Sequence, residues 1–300
     1  MISNNQNTPH RPTSDTSISI GRRRALAGLG VSGLVLMASE AATQPASAQT
    51  ARELAGKAAL VTGARNNLGR GFAVALAEMG ANVLVHHHTP DTRDQADETA
   101  RQCRAHGVKT ALFAGDLSRP ATVRAMFDAA LKSFGRIDVV VNNAGRIKKA
   151  PLAEVTEEEF ELCMGINTRG TFFCMQEAAR RISDGGRIIN IGTSLLNAST
   201  PNYSAYAGTK APMEEFARML AREIGHRGVT VNVVAPGAVD TPFFHSQETP
   251  QSVAYLSAAT PSKRLGRIAD IVPMVAFLAS ARSQWVTGQT IWVNDGYSTR

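Results

Sequence analysis

The sequence predicts an α/β fold: a single, doubly wound domain in which a mostly parallel seven-stranded sheet carries helices on both faces. Three observations carry that expectation. Seven short runs rich in β-branched residues recur along the chain, longer helical patterns separate them, and a glycine-containing turn follows the first run directly. Strands buried on both faces read as continuous apolar runs, and alternation with helices is the mark of parallel crossovers.

In order, the strand candidates are 58–62, 82–86, 109–114, 137–142, 186–191, 230–234 and 290–293. Helical patterns lie near 68–79, 92–106, 120–134, 157–182, 203–226 and 270–280. Neither a linker nor a repeat divides residues 49–300, which read as one domain with an irregular substrate loop at about 241–268.

The first 48 residues read differently. Residues 1–20 are polar and rich in Ser, Thr, Asn and Pro, a composition that does not support a core. Arg22, Arg23 and Arg24 precede an apolar stretch at 25–38, and Ala46-Ser47-Ala48 has the small–x–small form of a cleavage site. The arrangement resembles a twin-arginine export signal too short for a stable membrane span. The expectation is an exported, periplasmic protein that meets the twin-arginine machinery and is cleaved after Ala48. Cytoplasmic residence or attachment to a membrane surface are the alternatives.

The formal charge is +7, and four arginines against Asp15 and Glu40 place +2 of it in those 48 residues. No basic run with interleaved aromatics occurs in the remainder, which argues against nucleic acid as a partner. Cys103, Cys163 and Cys174 form no CxxC or Cys/His pattern and read as buried thiols.

Thr62 to Gly69 leaves the first strand and opens a helix. Gly63 permits a tight turn, Gly69 a close helix–strand approach, and the helix amino terminus offers free N–H groups to a pyrophosphate. After the second strand come His86, His87 and His88, whose side chains must alternate in direction, so no metal site is expected. No acidic residue stands at that strand end to hold a ribose diol, and Asp91 lies late. With Arg65 and His87 nearby, the lean is toward NADP(H), with NAD(H) possible.

Tyr206 and Lys210 are four residues apart and share a helix face. A phenol ordinarily loses its proton at about 10. An ammonium one turn away favours the phenolate and suits the pair to proton exchange with a carbonyl or an alcohol.

These features together resemble the short-chain dehydrogenase/reductase family over residues 54–297. The cofactor turn is Gly63, Arg65, Asn67, Leu68 and Gly69, with Asn67 where the family's second glycine is usual. Asp116 before Leu117 resembles the acidic position at the adenine ring. Asn143, Ala144 and Gly145 follow Asn142 as in the motif ending the fourth strand. Pro236, Gly237, Val239 and Thr241 resemble the nicotinamide-side loop.

The resemblance implies a Rossmann-like fold and a catalytic group of Asn167, Ser194, Tyr206 and Lys210. Tyr206 would exchange the proton and a serine hydroxyl would fix the substrate oxygen. Lys210 would also hold the nicotinamide ribose, and Asn167 would order a water. The family spacing of thirteen residues before the tyrosine falls on Thr193, so either hydroxyl can serve; Ser194 is expected on residue type.

Asn197, Tyr203, Phe243 and Phe244, with Ser194 and Tyr206, are the candidates for the substrate wall. Lys148, Lys149 and Lys263 either steer an acidic substrate or form a solvated face. The implied function is NAD(P)(H)-dependent interconversion of a carbonyl and a secondary alcohol, of oxoacyl-reductase or sugar and polyol type. The competing expectation is a dinucleotide-binding scaffold with a vestigial site. The family also implies a homodimer or homotetramer.

Overall fold

A computed structural model describes residues 52–299. The export-signal expectation lies outside them. Seven parallel strands form one sheet in the order β3-β2-β1-β4-β5-β6-β7. They are β1 (Ala58–Val61), β2 (Asn82–His87), β3 (Thr110–Ala114), β4 (Val139–Asn142), β5 (Arg187–Ile191), β6 (Thr230–Pro236) and β7 (Thr290–Val293).

Strand alternation sorts the apolar side chains into two cores. Ala59, Val61, Val83, Val85, Val139, Val141 and Ile189 face α1 (Asn67–Glu78), α2 (Arg93–Arg104) and α11 (Ile268–Ala279). Leu60, Leu84, Val140, Ile188, Val231 and Val233 face α3 (Pro120–Phe134), α5 (Thr171–Arg181) and α8 (Pro212–Ile224). Burial on both faces explains why the central strands β1, β4, β5 and β6 are mostly apolar. The order reverses between β1 and β4, which opens a crevice at their carboxyl ends where ligands of such sheets bind.

Two helical patterns prove composite. The run expected at 157–182 is α4 (Glu157–Cys163), a π-helical turn (Met164–Gly170) and α5. Thr156 and Glu159 close a capping box that starts α4. The run at 203–226 divides into α7 (Ser204–Lys210) and α8, because Pro212 has no N–H to continue the ladder. The segment expected to be irregular contains α9 (Pro242–His245) and α10 (Pro250–Ala259), with Thr241 and Thr249 as amino-terminal caps. A four-residue helix, α6 (Leu195–Ala198), follows β5. Among the described residues no helix is long and apolar enough to cross a membrane.

Candidate active site

The tips of β1 and β4 are sewn together at the crevice. Thr62 Oγ1 accepts from the N–H groups of Asn143 and Ala144 at 2.8 and 2.9 Å. Asn143 Nδ2 donates to the carbonyls of Thr62 and Gly63 at 3.0 and 3.1 Å. The turn above them is tight. Gly63 has φ +61°, and a Cβ on Gly69 would stand 2.1 Å from the Gly63 carbonyl oxygen, so only glycine fits there. Asn67 adopts φ +47°, a left-handed conformation that asparagine tolerates better than most residues.

A cavity of about 930 Å³ opens over this turn, near the upper end of the range of roughly 300–1,000 Å³ usual for ligand sites. At one end it is walled by Gly63, Arg65, Asn67, Leu68, Gly69 and Asp116, and at the middle by Asn143, Ala144, Gly145 and Lys210. Pro236, Gly237, Val239 and Thr241 line the opposite side. The amino terminus of α1 has no side-chain cap, so its first N–H groups are available to an anion. These donors, the glycine turn and the volume fit a dinucleotide.

The other end is apolar and aromatic. Tyr203, Tyr206, Phe243, Phe244, Leu195 and Leu256 line it. The Tyr206 ring lies 6.4 Å, centroid to centroid, from both Tyr203 and Phe243. Tyr297, from the carboxyl-terminal segment, lines the same cavity and is tied to Thr200 by a 3.0 Å hydrogen bond. Nothing in the local sequence marked it, since it enters only through the path of the chain after β7.

Tyr206 and Lys210 are both buried on α7. Lys210 Nζ donates to the Ile191 carbonyl at 2.8 Å. Gly145 lies directly against it: a Cβ there would be 3.2 Å from both Lys210 Nζ and Asn167 Oδ1. Asn167 sits on the π-helical turn, fully buried, its side chain bonded to the Arg146 N–H and carbonyl and to Thr209 Oγ1, each at 2.9 Å. Burial pushes the Tyr206 phenol up to about 12, against a hydrogen bond from Thr193 that pulls it down. Burial pushes Lys210 down to about 8. Desolvation therefore outweighs the expected lowering of the phenol by its lysine neighbour.

Several expected residues stand elsewhere. The hydroxyl that acts on the Tyr206 phenol, favouring its ionised form, is that of Thr193, which lines the same cavity. Ser194, although on the cavity wall, donates its own hydroxyl to the Ala235 carbonyl at 3.0 Å. His87 turns from the cavity and bonds the Thr89 carbonyl and the Thr92 hydroxyl. His86 and His88 line the cavity instead, as strand alternation requires once the register is known. Leu117 packs in the core rather than on the cavity wall, and Asn197 on α6 does not line it. Lys148 and Lys149 are paired with Glu159 and Glu248.

A family model described as enoyl-(acyl carrier protein) reductase matches residues 63–298. A short-chain type dehydrogenase/reductase from Picea abies is 38% identical over 253 residues, spanning 81% of this chain and 93% of its own length. A protein from Burkholderia cenocepacia solved with bound NADP is 40% identical with a TM-score of 0.80, covering 82% of this chain and 95% of that one. The angucycline C-6 ketoreductase LanV with bound NADP is 35% identical with a TM-score of 0.76, covering 82% and 96%. The chain belongs to the short-chain dehydrogenase/reductase family and is an NAD(P)(H)-dependent oxidoreductase of carbonyls and alcohols.

Proposed function

We propose that this enzyme is an NADP(H)-preferring reductase of an apolar, ring-bearing ketone or aldehyde. The observation that carries the reading is the buried Tyr206 phenol, which shares the cavity wall with Thr193 and lies against the rings of Tyr203 and Phe243. A phenol held at about 12 keeps its proton throughout the neutral range, so it stands protonated beside an incoming carbonyl.

The nicotinamide, when bound, supplies the hydride. Tyr206 delivers its proton to the substrate oxygen as charge gathers there. Thr193 donates a hydrogen bond toward the same oxygen and fixes its position. Lys210, one turn along α7, favours the phenolate left behind and recovers charge stabilisation that burial removed. Asn167 holds the backbone of Arg146 and so shapes the wall beside Lys210.

The NADP(H) preference is supported by Arg65 and the exposed His88 on the adenosine-side wall, where no carboxylate ends β2. The bound NADP of the two similar structures agrees with it. An apolar, cyclic substrate is supported by Tyr203, Phe243, Phe244 and Tyr297, and by the likeness to the angucycline C-6 ketoreductase LanV. The test is initial rates of the full chain with NADPH and NADH across cyclic ketones, aldehydes, polyols and sugars. Tyr206→Phe is expected to lower turnover roughly 100- to 10,000-fold while leaving NADPH binding. Equal rates with NADH would overturn the cofactor assignment, and NADPH binding without any turnover would restore the vestigial-site reading.

Arg22–Arg24, the apolar stretch at 25–38 and Ala46–Ala48 support twin-arginine export with cleavage after Ala48; the mass of the periplasmic form tests it, an intact amino terminus counting against. Exposed Phe160, Phe172 and Met219 on α4, α5 and α8 support a homodimer or homotetramer through those helices. Sedimentation of Phe172→Glu against the unaltered protein tests that.

A further inference from the structure

Lys149 and Glu248 form an ion pair at 2.5 Å, with the Glu248 side chain 0% exposed. The same carboxylate accepts hydrogen bonds from the Tyr203 phenol and from the Ser252 hydroxyl. Lys149 adds two contacts: its N–H donates to Gln247 Oε1 at 2.9 Å, and its ammonium lies 5.3 Å from the centre of the Tyr203 ring.

The partners come from three separate segments. Lys149 lies in the loop after β4, whose Arg146 and Ile147 line the cavity. Tyr203 precedes α7 and faces Tyr206. Glu248 joins α9 to α10, the segment that carries Phe243, Phe244 and Leu256 into the cavity wall. Hydrogen bonds from 242–259 to the body of the domain start at Gln247 and Glu248. The segment's other bonds, such as His245 to Asp240 and Ser246 to the Phe243 carbonyl, stay within it or reach its own hinge.

We propose that Glu248 is the latch of a lid formed by α9 and α10, and a positioning residue that holds Tyr203 in the substrate wall. Closing the lid brings a carboxylate, an ammonium and a phenol together out of water, an arrangement stable only when all partners are present. Losing one partner leaves the others buried and uncompensated, so the lid opens. Opening exposes the aromatic end of the cavity while leaving the cofactor turn, on β1 and α1, in place. Neither Glu248 nor Lys149 lines the cavity. Their effect passes through Tyr203 and the Phe243–Phe244 pair.

The proposal deepens the carbonyl-reductase reading, but its primary test needs no turnover. Hydrogen–deuterium exchange is followed in the full chain and in Glu248→Ala, Glu248→Gln and Lys149→Met. The expected result is at least tenfold faster exchange across peptides from 242–259 in Glu248→Ala, with β1, β4 and β5 unchanged and NADPH affinity within threefold of the unaltered protein. In the kinetic arm, Glu248→Ala raises the KM for the carbonyl substrate at least tenfold with kcat maintained or increased, as expected when lid opening limits release. Tyr203→Phe, which keeps the ring and removes one bond, gives a smaller change in the same direction. Unchanged exchange at 242–259 in Glu248→Ala overturns the latch, as does faster exchange spread evenly over the sheet. If Glu248→Ala does not fold, Glu248→Gln and Lys149→Met carry the same comparison. An enzyme without turnover whose exchange still rises locally would sink the reductase reading and keep the latch.

Discussion

The Thr193 hydroxyl shares the cavity wall with the Tyr206 phenol and favours its ionised form, and Thr193 Oγ1 accepts the Leu195 N–H at 3.3 Å. Ser194, one residue on, is turned toward β6 and bonds the Ala235 carbonyl. Thr193 stands thirteen positions before Tyr206, and the turn between β5 and α6 commits the Ser194 hydroxyl to the Ala235 carbonyl.

Thr193→Val is therefore expected to lower kcat by roughly 100- to 1,000-fold, the scale of losing one donor at a developing oxyanion. Thr193→Ser keeps the donor and restores most of the rate. Ser194→Ala removes a buried hydrogen bond worth about 1 kcal/mol of stability and leaves turnover near that of the unaltered enzyme. Steady-state kinetics of the three variants decide it: a large loss in Ser194→Ala with a silent Thr193→Val would reverse the assignment.

Lys210 makes a prediction with two opposite signs. Its ammonium, pushed down to about 8 by burial, is lost from the folded protein as pH rises through that value. Catalysis that depends on the charge should fall above pH 8 while Tyr206, at about 12, remains protonated. Stability should move the other way. Between pH 8 and 10.5 the unfolded chain holds a proton on this lysine that the folded chain does not, so unfolding free energy rises with pH. The difference reaches at most about 3 kcal/mol. Lys210→Met should flatten that rise in denaturant titrations at pH 8 and 10.5, and a slope identical to the unaltered protein would refute the assignment.

The sheet, its two-sided helical cover and the cofactor turn were legible because each rests on local pattern. Buried strands such as VVVN at β4 and RIINI at β5 announce themselves, and Gly63 and Gly69 are demanded by a turn that no other residue fits. What sequence spacing left open was direction. Thr193 against Ser194 depends on how β5 ends, and His86 against His87 depends on which face of β2 meets the cavity. Pairing between distant segments was less legible still. Lys149 reads as a solvated cation until the fold sets Glu248 beside it, and Tyr297 acquires a role only when the chain returns past β7. The π-helical turn at Asn167 has no periodicity signal strong enough to break a continuous helical pattern.

Asn67 supplies a test of the cofactor turn. At φ +47° a β-branched side chain is strained, whereas glycine is at ease. Asn67→Val should cost about 1–3 kcal/mol of stability and weaken NADPH binding, since the residue lines the cavity. Asn67→Gly should bind NADPH at least as tightly as the unaltered enzyme. Thermal unfolding together with fluorescence titration of NADPH measures both. A Val variant with unchanged affinity and stability would show that the turn does not hold this conformation.

His86 links the same turn to acid stability. Its Nδ1 accepts the Gly63 N–H at 3.0 Å, while Nε2 lies 2.9 Å from the Gly115 carbonyl and must carry the proton. A second proton on Nδ1 would face an N–H donor inside a buried site, and burial pushes the imidazole down to about 4 from 6.5. The folded-state value is depressed for a base, so the sign follows directly. As pH falls from 6.5 toward 4 the unfolded chain gains a proton that the folded chain refuses, and stability declines. The loss from this residue is roughly 2–3 kcal/mol by pH 4.5. His86→Gln removes the titrating group, so its unfolding free energy should be lower at pH 7 but should fall less between pH 7 and 4.5. Urea titrations of both proteins at the two pH values measure the difference, and equal declines would show that His86 is not the group responsible.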